Sequence, residues 1–261
     1  MKEKGRKILI ILLLAVAAGC AGYLIWYYAS AAKSAESYEK ARKEAVVDTT
    51  DQTTDQKADQ TAEQEKVVIP IDFASLQKTN PDVHAWIKIE GTNIDYPVVQ
   101  NEEQEEYYLT HTWEGKYAAE GAIFTQAFNK KDFTDFNTVI YGHQMGEGVE
   151  TMFHQLGNYL DDGYMKDHSE IVIYTPEHIL TYKVFAAVVY DDRHLMKYYD
   201  YDKAEDRQAF LDSLKNSRDM RNKYNDQLEV TTSDRIISLS TCIAAEPDHR
   251  LLVEAVLTDE K

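Results

Sequence analysis

Two cysteines occur in this 261-residue chain, Cys20 and Cys242. Cys20 lies in an uncharged apolar run, whereas Cys242 closes the strand-like segment Arg235-Ile236-Ile237-Ser238-Leu239-Ser240-Thr241-Cys242. If the apolar run spans a membrane the two cannot meet, and the part outside carries one unpaired thiol. A lone cysteine reads either as a small inert hydrophobe or as a nucleophile. Arg250, which opens the next strand-like segment after seven residues, bears on that choice. If the two segments pair as a hairpin, thiol and guanidinium sit at matching ends, with Cα atoms roughly 5 Å apart. A fixed cation beside a thiol favours the thiolate and can stabilise an oxyanion formed next to it.

A thiol nucleophile needs a proton shuttle, and eight histidines are available. His84, His111, His168, His178 and His194 stand among polar or turn residues and read as solvated surface groups. His154 falls in a short helical stretch, and His249 lies between Cys242 and Arg250. His143 differs, since it ends the apolar segment Val139-Ile140-Tyr141-Gly142-His143 and precedes the loop Gln144-Met145-Gly146-Glu147-Gly148. That places an imidazole at a strand end, although a structural role remains open on this ground alone. No His-x-x-x-His pattern, cysteine pair or tight carboxylate cluster points to a metal, and Gly146-x-Gly148 lacks the Lys-Ser/Thr of a phosphate loop.

The charge is uneven: residues 1–47 hold 8 bases and 4 acids, residues 48–66 hold 2 and 6, and residues 67–261 hold 18 and 35. A net charge of −17 has the wrong sign for a nucleic-acid binder, and 11 Gly, 5 Pro and 11% aromatics exclude collagen-like or wholly disordered chains. Lys2, Lys4, Arg6 and Lys7 precede a charge-free run from Ile8 to Tyr28, which as a helix measures about 31 Å and spans a bilayer. The positive-inside bias then leaves the N-terminus cytoplasmic and the rest outside. A cleaved signal peptide is the alternative, with Ala17-Ala18-Gly19-Cys20 resembling a lipoprotein box.

Residues 1–28 thus read as a membrane anchor and 29–66 as an extracellular stalk and disordered tether. Within the stalk, Ser30 to Ala45 reads as a short exposed helix with Glu36–Lys40 and Glu39–Lys43 pairs. Asp48 to Lys66 holds no apolar side chain larger than Ala and cannot offset its ordering entropy. Residues 67–261 carry eight β-rich segments: Trp86 to Ile89, Ile94 to Val99, Ala122 to Thr125, Thr138 to His143, Ile171 to Thr175, Leu180 to Tyr190, Arg235 to Cys242 and Arg250 to Leu257. Helices are expected near Phe73 to Lys78 and after Asp202, where Asp202 and Glu205 suggest a capping box and Phe210, Leu211 and Leu214 an apolar face. Eight short strands suggest a mainly β closed barrel or sandwich.

Taken together, the chain resembles the sortases, membrane-anchored cysteine transpeptidases of Gram-positive bacteria, and among them class B. The matching stretches are Asn80-Pro81-Asp82-Val83-His84-Ala85-Trp86-Ile87, Ile94-Asp95-Tyr96-Pro97-Val98-Val99-Gln100, Tyr107-Tyr108-Leu109, Tyr141-Gly142-His143 and Leu239-Ser240-Thr241-Cys242 with Arg250, within Asp72 to Leu257. The resemblance implies an eight-stranded sortase-type β-barrel, with a short N-terminal helix and a longer helix inserted before the cysteine strand.

It also implies a reaction without cofactor or metal. Cys242 would attack the Thr carbonyl of a Pro-x-Thr-Gly or Pro-x-Thr-Asn sorting signal on a surface protein, Arg250 would steady the oxyanion, and His143 would protonate the leaving amine. An amine of the peptidoglycan bridge or its lipid-linked precursor would then take the acyl group from the thioester. Leu109, Tyr141 and Ser240 would line the substrate groove, the last two because alternate strand residues share a face with His143 and Cys242. A hydrolytic extracellular cysteine peptidase and a catalytically inactive binding ectodomain are the other readings.

Overall fold

The computed structural model describes residues 3–45, 67–145 and 150–261. Helix α1 runs unbroken from Glu3 to Ala45. Its C-terminal half does not stand free: Ser34, Tyr38, Ala41 and Ala45 form a buried stripe at the four-three-four spacing of one helix face. Tyr38 donates its hydroxyl to the Gly121 carbonyl at 2.9 Å, and Trp113 Nε1 donates to Ser37 Oγ at 3.2 Å. Arg42 Nε donates to the Asp95 carbonyl at 2.9 Å while its guanidinium lies 5.1 Å from the centre of the Tyr96 ring. The expected exposed helix is therefore docked. Its ion pairs, Glu39 with Lys43 and Glu44 with Lys40, occupy other faces, and the alanines and serine of the stripe look neutral in sequence. Residues 46–66, including the expected tether, lie outside the described residues.

Helix α2 (Phe73–Thr79) begins at a capping Asp72, whose Oδ1 accepts from Ser75 N and whose Oδ2 accepts from Ser75 Oγ. The backbone N–H of Asp72 also donates to the Ala45 carbonyl, tying α2 to the end of α1. The strands are β1 (Val83–Lys88), β2 (Asp95–Val99), β3 (Ile123–Thr125), β4 (Asn137–Tyr141), β5 (Glu170–Tyr174), β6 (Ile179–Asp191), β7 (Lys223–Tyr224), β8 (Ile236–Ile243) and β9 (Glu246–Glu260). Their order is β5-β1-β2-β3-β4-β8-β9-β6, and β5 pairs with β6. Eight strands thus close into a barrel, removing the free edges that an open sheet would expose. The pairings β2–β3 and β4–β8 are parallel; the two-residue β7, which the sequence does not announce, hangs from β6.

Alternation along β8 sends Ile237 and Leu239 into the barrel with Ile87, Tyr96, Phe153 and Tyr182. Ile236 turns outward, into a second cluster with Val139, Val188, Leu252 and Val256. Three further helices decorate the barrel: α3 (Tyr164–Asp167), α4 (Leu195–Tyr198) and α5 (Ala204–Asn216). Phe210, Leu211 and Leu214 of α5 cover the outer cluster, as expected. Its capping box does not form. The N-cap is Lys203 without a side-chain bond, and Asp202 lies one residue too early, in a turn where Asp200 and Asp206 carboxylates take the backbone N–H groups of Asp202 and Asp200.

Where β4, β8 and β9 lie side by side under α5, the outer face carries a buried polar row. Asn137 Nδ2 donates to Tyr201 Oη at 3.2 Å, and Ser238 Oγ lies 3.0 Å from Asn137 Oδ1 and 2.9 Å from Glu254 Oε2. One hydroxyl has one proton to give. If Ser238 donates to the amide oxygen, the carboxyl must donate to Ser238, which only the neutral acid can do. Burial pushes the Glu254 carboxyl in that direction, up to about 8 from 4.5. The stabilisation from this row is therefore fully present below pH 4.5 and is lost as pH rises through 8. Glu254→Gln keeps the shape and supplies a permanent donor. It should flatten the fall in stability that the native chain shows in urea titrations, at most about 1.4 kcal/mol per pH unit, over this interval. An unchanged slope would mean that Glu254 is ionised in the folded state.

Candidate active site

Register brings the candidate residues together. On the outer face Val139, Ser238 and Glu254 stand opposite one another across β4, β8 and β9, and one rung further come Tyr141, Ser240 and Leu252. The next rung pairs Cys242 with Arg250, as the hairpin expectation required. His143 stands two residues past Tyr141, the last residue of β4, as Cys242 stands two past Ser240. The Gly142 N–H donates to the Ser240 carbonyl at 3.2 Å, and the Phe153 N–H to the His143 carbonyl at 3.0 Å, so the backbone on both sides of the imidazole is held. Gly142 is needed there. A Cβ would come within 2.5 Å of Ile123 Cδ1 and 2.7 Å of Phe153 Cδ2.

The thiol is free and exposed. An exposed thiol at the end of a strand buried along most of its length is accessible to a reagent, which the inert-hydrophobe alternative does not provide. His143 Nε2 lies 2.8 Å from the Leu109 carbonyl, an acceptor only, so Nε2 carries a proton in this arrangement and Nδ1 is the nitrogen left for proton exchange. A backbone carbonyl thus orients the ring, as a carboxylate does in a catalytic triad. Leu109 ends a short 3-10 turn, Tyr107–Leu109. Both hydrogen bonds of the Arg250 side chain leave from Nη1, to the Pro247 and His249 carbonyls at 2.8 Å. Tyr141 is mostly buried and stacked at 5.4 Å on Phe124; its hydroxyl has no partner among the described residues, and burial, reinforced by Glu105, pushes the phenol pKa up. Ser240 is buried beside it.

The remaining histidines divide. His84, expected at the surface, is buried, with ring nitrogens 3.0 Å from Thr125 Oγ1 and 3.1 Å from the Lys131 carbonyl; burial lowers its pKa to about 4. It lies in β1 between the apolar Val83 and Ala85, and its ring stacks on Phe133 across the fold. His154 Nδ1 binds the Met145 carbonyl, and His249 is exposed on the hairpin, 3.8 Å from Glu246. Among the described residues no group of His, Cys, Asp or Glu is spaced to hold a metal ion. The Gly-containing loop after His143 includes residues 146–149, which lie outside the described residues.

The chain thus presents a closed eight-stranded barrel with a thiol and a guanidinium paired on β8 and β9 and an imidazole two residues past the end of β4. Comparison with known proteins gives the family. A sortase-domain family model matches residues 87–258. Sortase B of Staphylococcus aureus is 33% identical over 185 residues, 70% of this chain and 73% of that protein, and sortase B of Listeria monocytogenes is 34% identical over 174 residues, 66% and 67% respectively. The solved Staphylococcus aureus sortase B-substrate complex superimposes with a TM-score of 0.62 at 32% identity, covering 72% of this chain and 84% of that one. The chain belongs to the sortase family of cysteine transpeptidases, and its named relatives are class B.

The Leu109 carbonyl, which sequence reasoning could not assign as the ring's anchor, depends on Gly121. That residue has φ +57°, and a Cβ on it would fall 2.4 Å from the Tyr108 carbonyl oxygen and 2.7 Å from that of Leu109. Gly121→Ala should cost about 1–3 kcal/mol from backbone strain alone and, by displacing the Leu109 carbonyl, lower kcat beyond what the loss of folded protein explains. Thermal melting together with kcat per folded molecule checks this; a normal kcat would show that the carbonyl does not govern the ring.

Proposed function

We propose that this sortase cleaves a Pro-x-Thr-Gly or Pro-x-Thr-Asn sorting signal after Thr and transfers the protein to a peptidoglycan amine. The observation that carries the reading is the pairing of Cys242 with Arg250 across β8 and β9, with His143 two residues past the end of the neighbouring β4. The Cys242 thiolate attacks the Thr carbonyl, and the Arg250 guanidinium bears the developing negative charge. His143, protonated at Nδ1, gives its proton to the departing amine and a thioester remains. The acceptor amine attacks that thioester, returns a proton to His143 and frees the thiol. Leu109, Tyr141 and Ser240 form the groove beside the thiol. Support for an amine acceptor comes from a relative: a sortase B has been solved complexed with triglycine.

The test is direct. Cys242→Ala should abolish cleavage of a sorting-signal peptide, and native protein trapped with that peptide should gain the mass of the acyl fragment on Cys242. With an oligoglycine amine present the product should be the amide. Equal turnover by the alanine variant would remove the thioester, and the free acid alone at saturating amine would make the protein a peptidase.

The location read from the sequence, a single-pass cell-membrane protein with the barrel outside, is supported by α1: Gly5–Ile25 is long and apolar enough to cross a membrane, and Lys2, Lys4, Arg6 and Lys7 at its start favour a cytoplasmic N-terminus. From Ile25 to Tyr38 the same helix rises about 20 Å, so its docked end sets the height of the site above the bilayer. Cutting the chain within residues 48–66 from outside, on wall-stripped cells, should split the protein yet leave the barrel on the membrane until denaturant is added. Protection of that segment from added protease would reject the orientation.

A further inference from the structure

The hairpin that joins Cys242 to Arg250 is weakly built at its tip. After the Cys242–Arg250 pair the register shifts and the next pair is Ile243 with Glu246, so Pro247, Asp248 and His249 have no partner on β8. His249 pairs instead with Asp191 on β6, leaving Pro247 and Asp248 without a strand partner on either side. Ala245 turns the chain with φ 63°, a left-handed conformation unfavourable for a residue with a side chain. Residues 244–249 contribute no buried side chain. Ladder bonds and apolar packing therefore do not hold the tip, and polar contacts must.

Two arginines supply them. Arg250 Nη1 braces the hairpin from within, on the Pro247 and His249 carbonyls. Arg221 grips it from outside: Nη1 and Nη2 donate to Glu246 Oε1 and Oε2 at 2.7 and 3.0 Å, while Nε and Nη2 donate to Asp219 Oδ1 and Oδ2 at 2.9 and 2.8 Å. Exposed ion pairs ordinarily contribute little, but two bidentate forks around one guanidinium are the geometry in which they do. Both carboxylates are held below their usual range by that guanidinium, so the clasp stays charged at neutral pH. The segment bearing Arg221 is itself fixed. Ser217 Oγ donates to the Val189 carbonyl, Asn222 Oδ1 accepts from the Val189 N–H, and β7, which begins one residue later at Lys223, pairs with β6.

We propose that Arg221 is a positioning residue: through Glu246 it fixes the turn that keeps the Cys242 thiol and the Arg250 guanidinium in register with each other and with His143. The inference rests on the transpeptidation reading above and deepens it, since Arg221 touches neither substrate nor the reacting atoms. Without the clasp the hairpin samples arrangements in which thiol and guanidinium drift apart, and displacements of the order of an ångström are costly in an acyl transfer.

The test uses the full chain in detergent micelles, with Arg221→Gln, Arg221→Lys, Glu246→Gln and the double variant Arg221→Gln/Glu246→Gln. Arg221→Gln and Glu246→Gln should each lower kcat for a sorting-signal peptide by about 10-fold or more, leaving KM within roughly threefold and the melting temperature near that of the native chain. The double variant should fall no further than the weaker single, because both substitutions break one contact. Arg221→Lys, which keeps the charge and loses the forks, should fall between the native chain and Arg221→Gln. Amide hydrogen exchange should quicken at residues 244–250 in every variant. Native kcat in Arg221→Gln, multiplying losses in the double variant, or unchanged exchange at the hairpin would overturn the proposal. If even the native chain transfers no peptide, the sorting reaction is wrong, while hairpin exchange and the rate of Cys242 alkylation still decide whether Arg221 positions the thiol.

Discussion

Everything at the site depends on the parallel pairing of β4 with β8. A parallel neighbour ends at the same end of the barrel, whereas an antiparallel one begins there, so the sequence β4, β8, β9 brings two strand ends and one strand start to a single rim. Parallel ladders are slightly less stable per residue than antiparallel ones, and here the strand is buried on both faces, the interior side by the barrel core and the outer side by α5. That double burial explains why β8 reads as Ile-Ile-Ser-Leu-Ser-Thr rather than as a clean alternation of apolar and polar residues. Small serines on the outer face leave room, and the same face, followed one rung past the cover, becomes the floor beneath Cys242.

Much of this was legible. The eight β-branched and aromatic runs correspond to the eight barrel strands, shifted by a few residues at their ends, and Cys242 and Arg250 pair across the hairpin as expected. What escaped was of three physical kinds. A two-residue strand such as β7 has no periodicity to read. A backbone carbonyl, like that of Leu109 on the His143 ring, leaves no trace in side-chain identity. The third kind is burial of residues that look polar or neutral. His84 pairs inside the barrel wall, and the seven-residue loop expected before Arg250 is instead mostly strand, because Glu246 and His249 find partners on β8 and β6 that their own polarity does not advertise.

The docked half of α1 changes how the parts relate. A helix joined to the barrel by Tyr38, Arg42 and the Ala45–Asp72 bond cannot act as a loose stalk, and residues 46–71 then connect two points that already touch. Tyr38 binds the carbonyl of Gly121, whose missing side chain admits the Leu109 carbonyl, which in turn orients His143. Helix α1 is therefore mechanically continuous with the imidazole through three successive contacts.

Arg250 meets two demands that a lysine could not. Its Nη1 is committed to the carbonyls of Pro247 and His249 and so stiffens the hairpin that carries it. The planar guanidinium still has a second edge, formed by Nε and Nη2, on which a side-on fork can receive an oxyanion or a peptide carbonyl without surrendering the first. A point charge on a flexible stem has three protons but no fixed edge; to serve the substrate it would have to abandon the loop. Under the proposed reaction, the choice of arginine follows from the poor ladder at the hairpin tip, where the residue that would answer the developing charge also helps hold its own backbone in place.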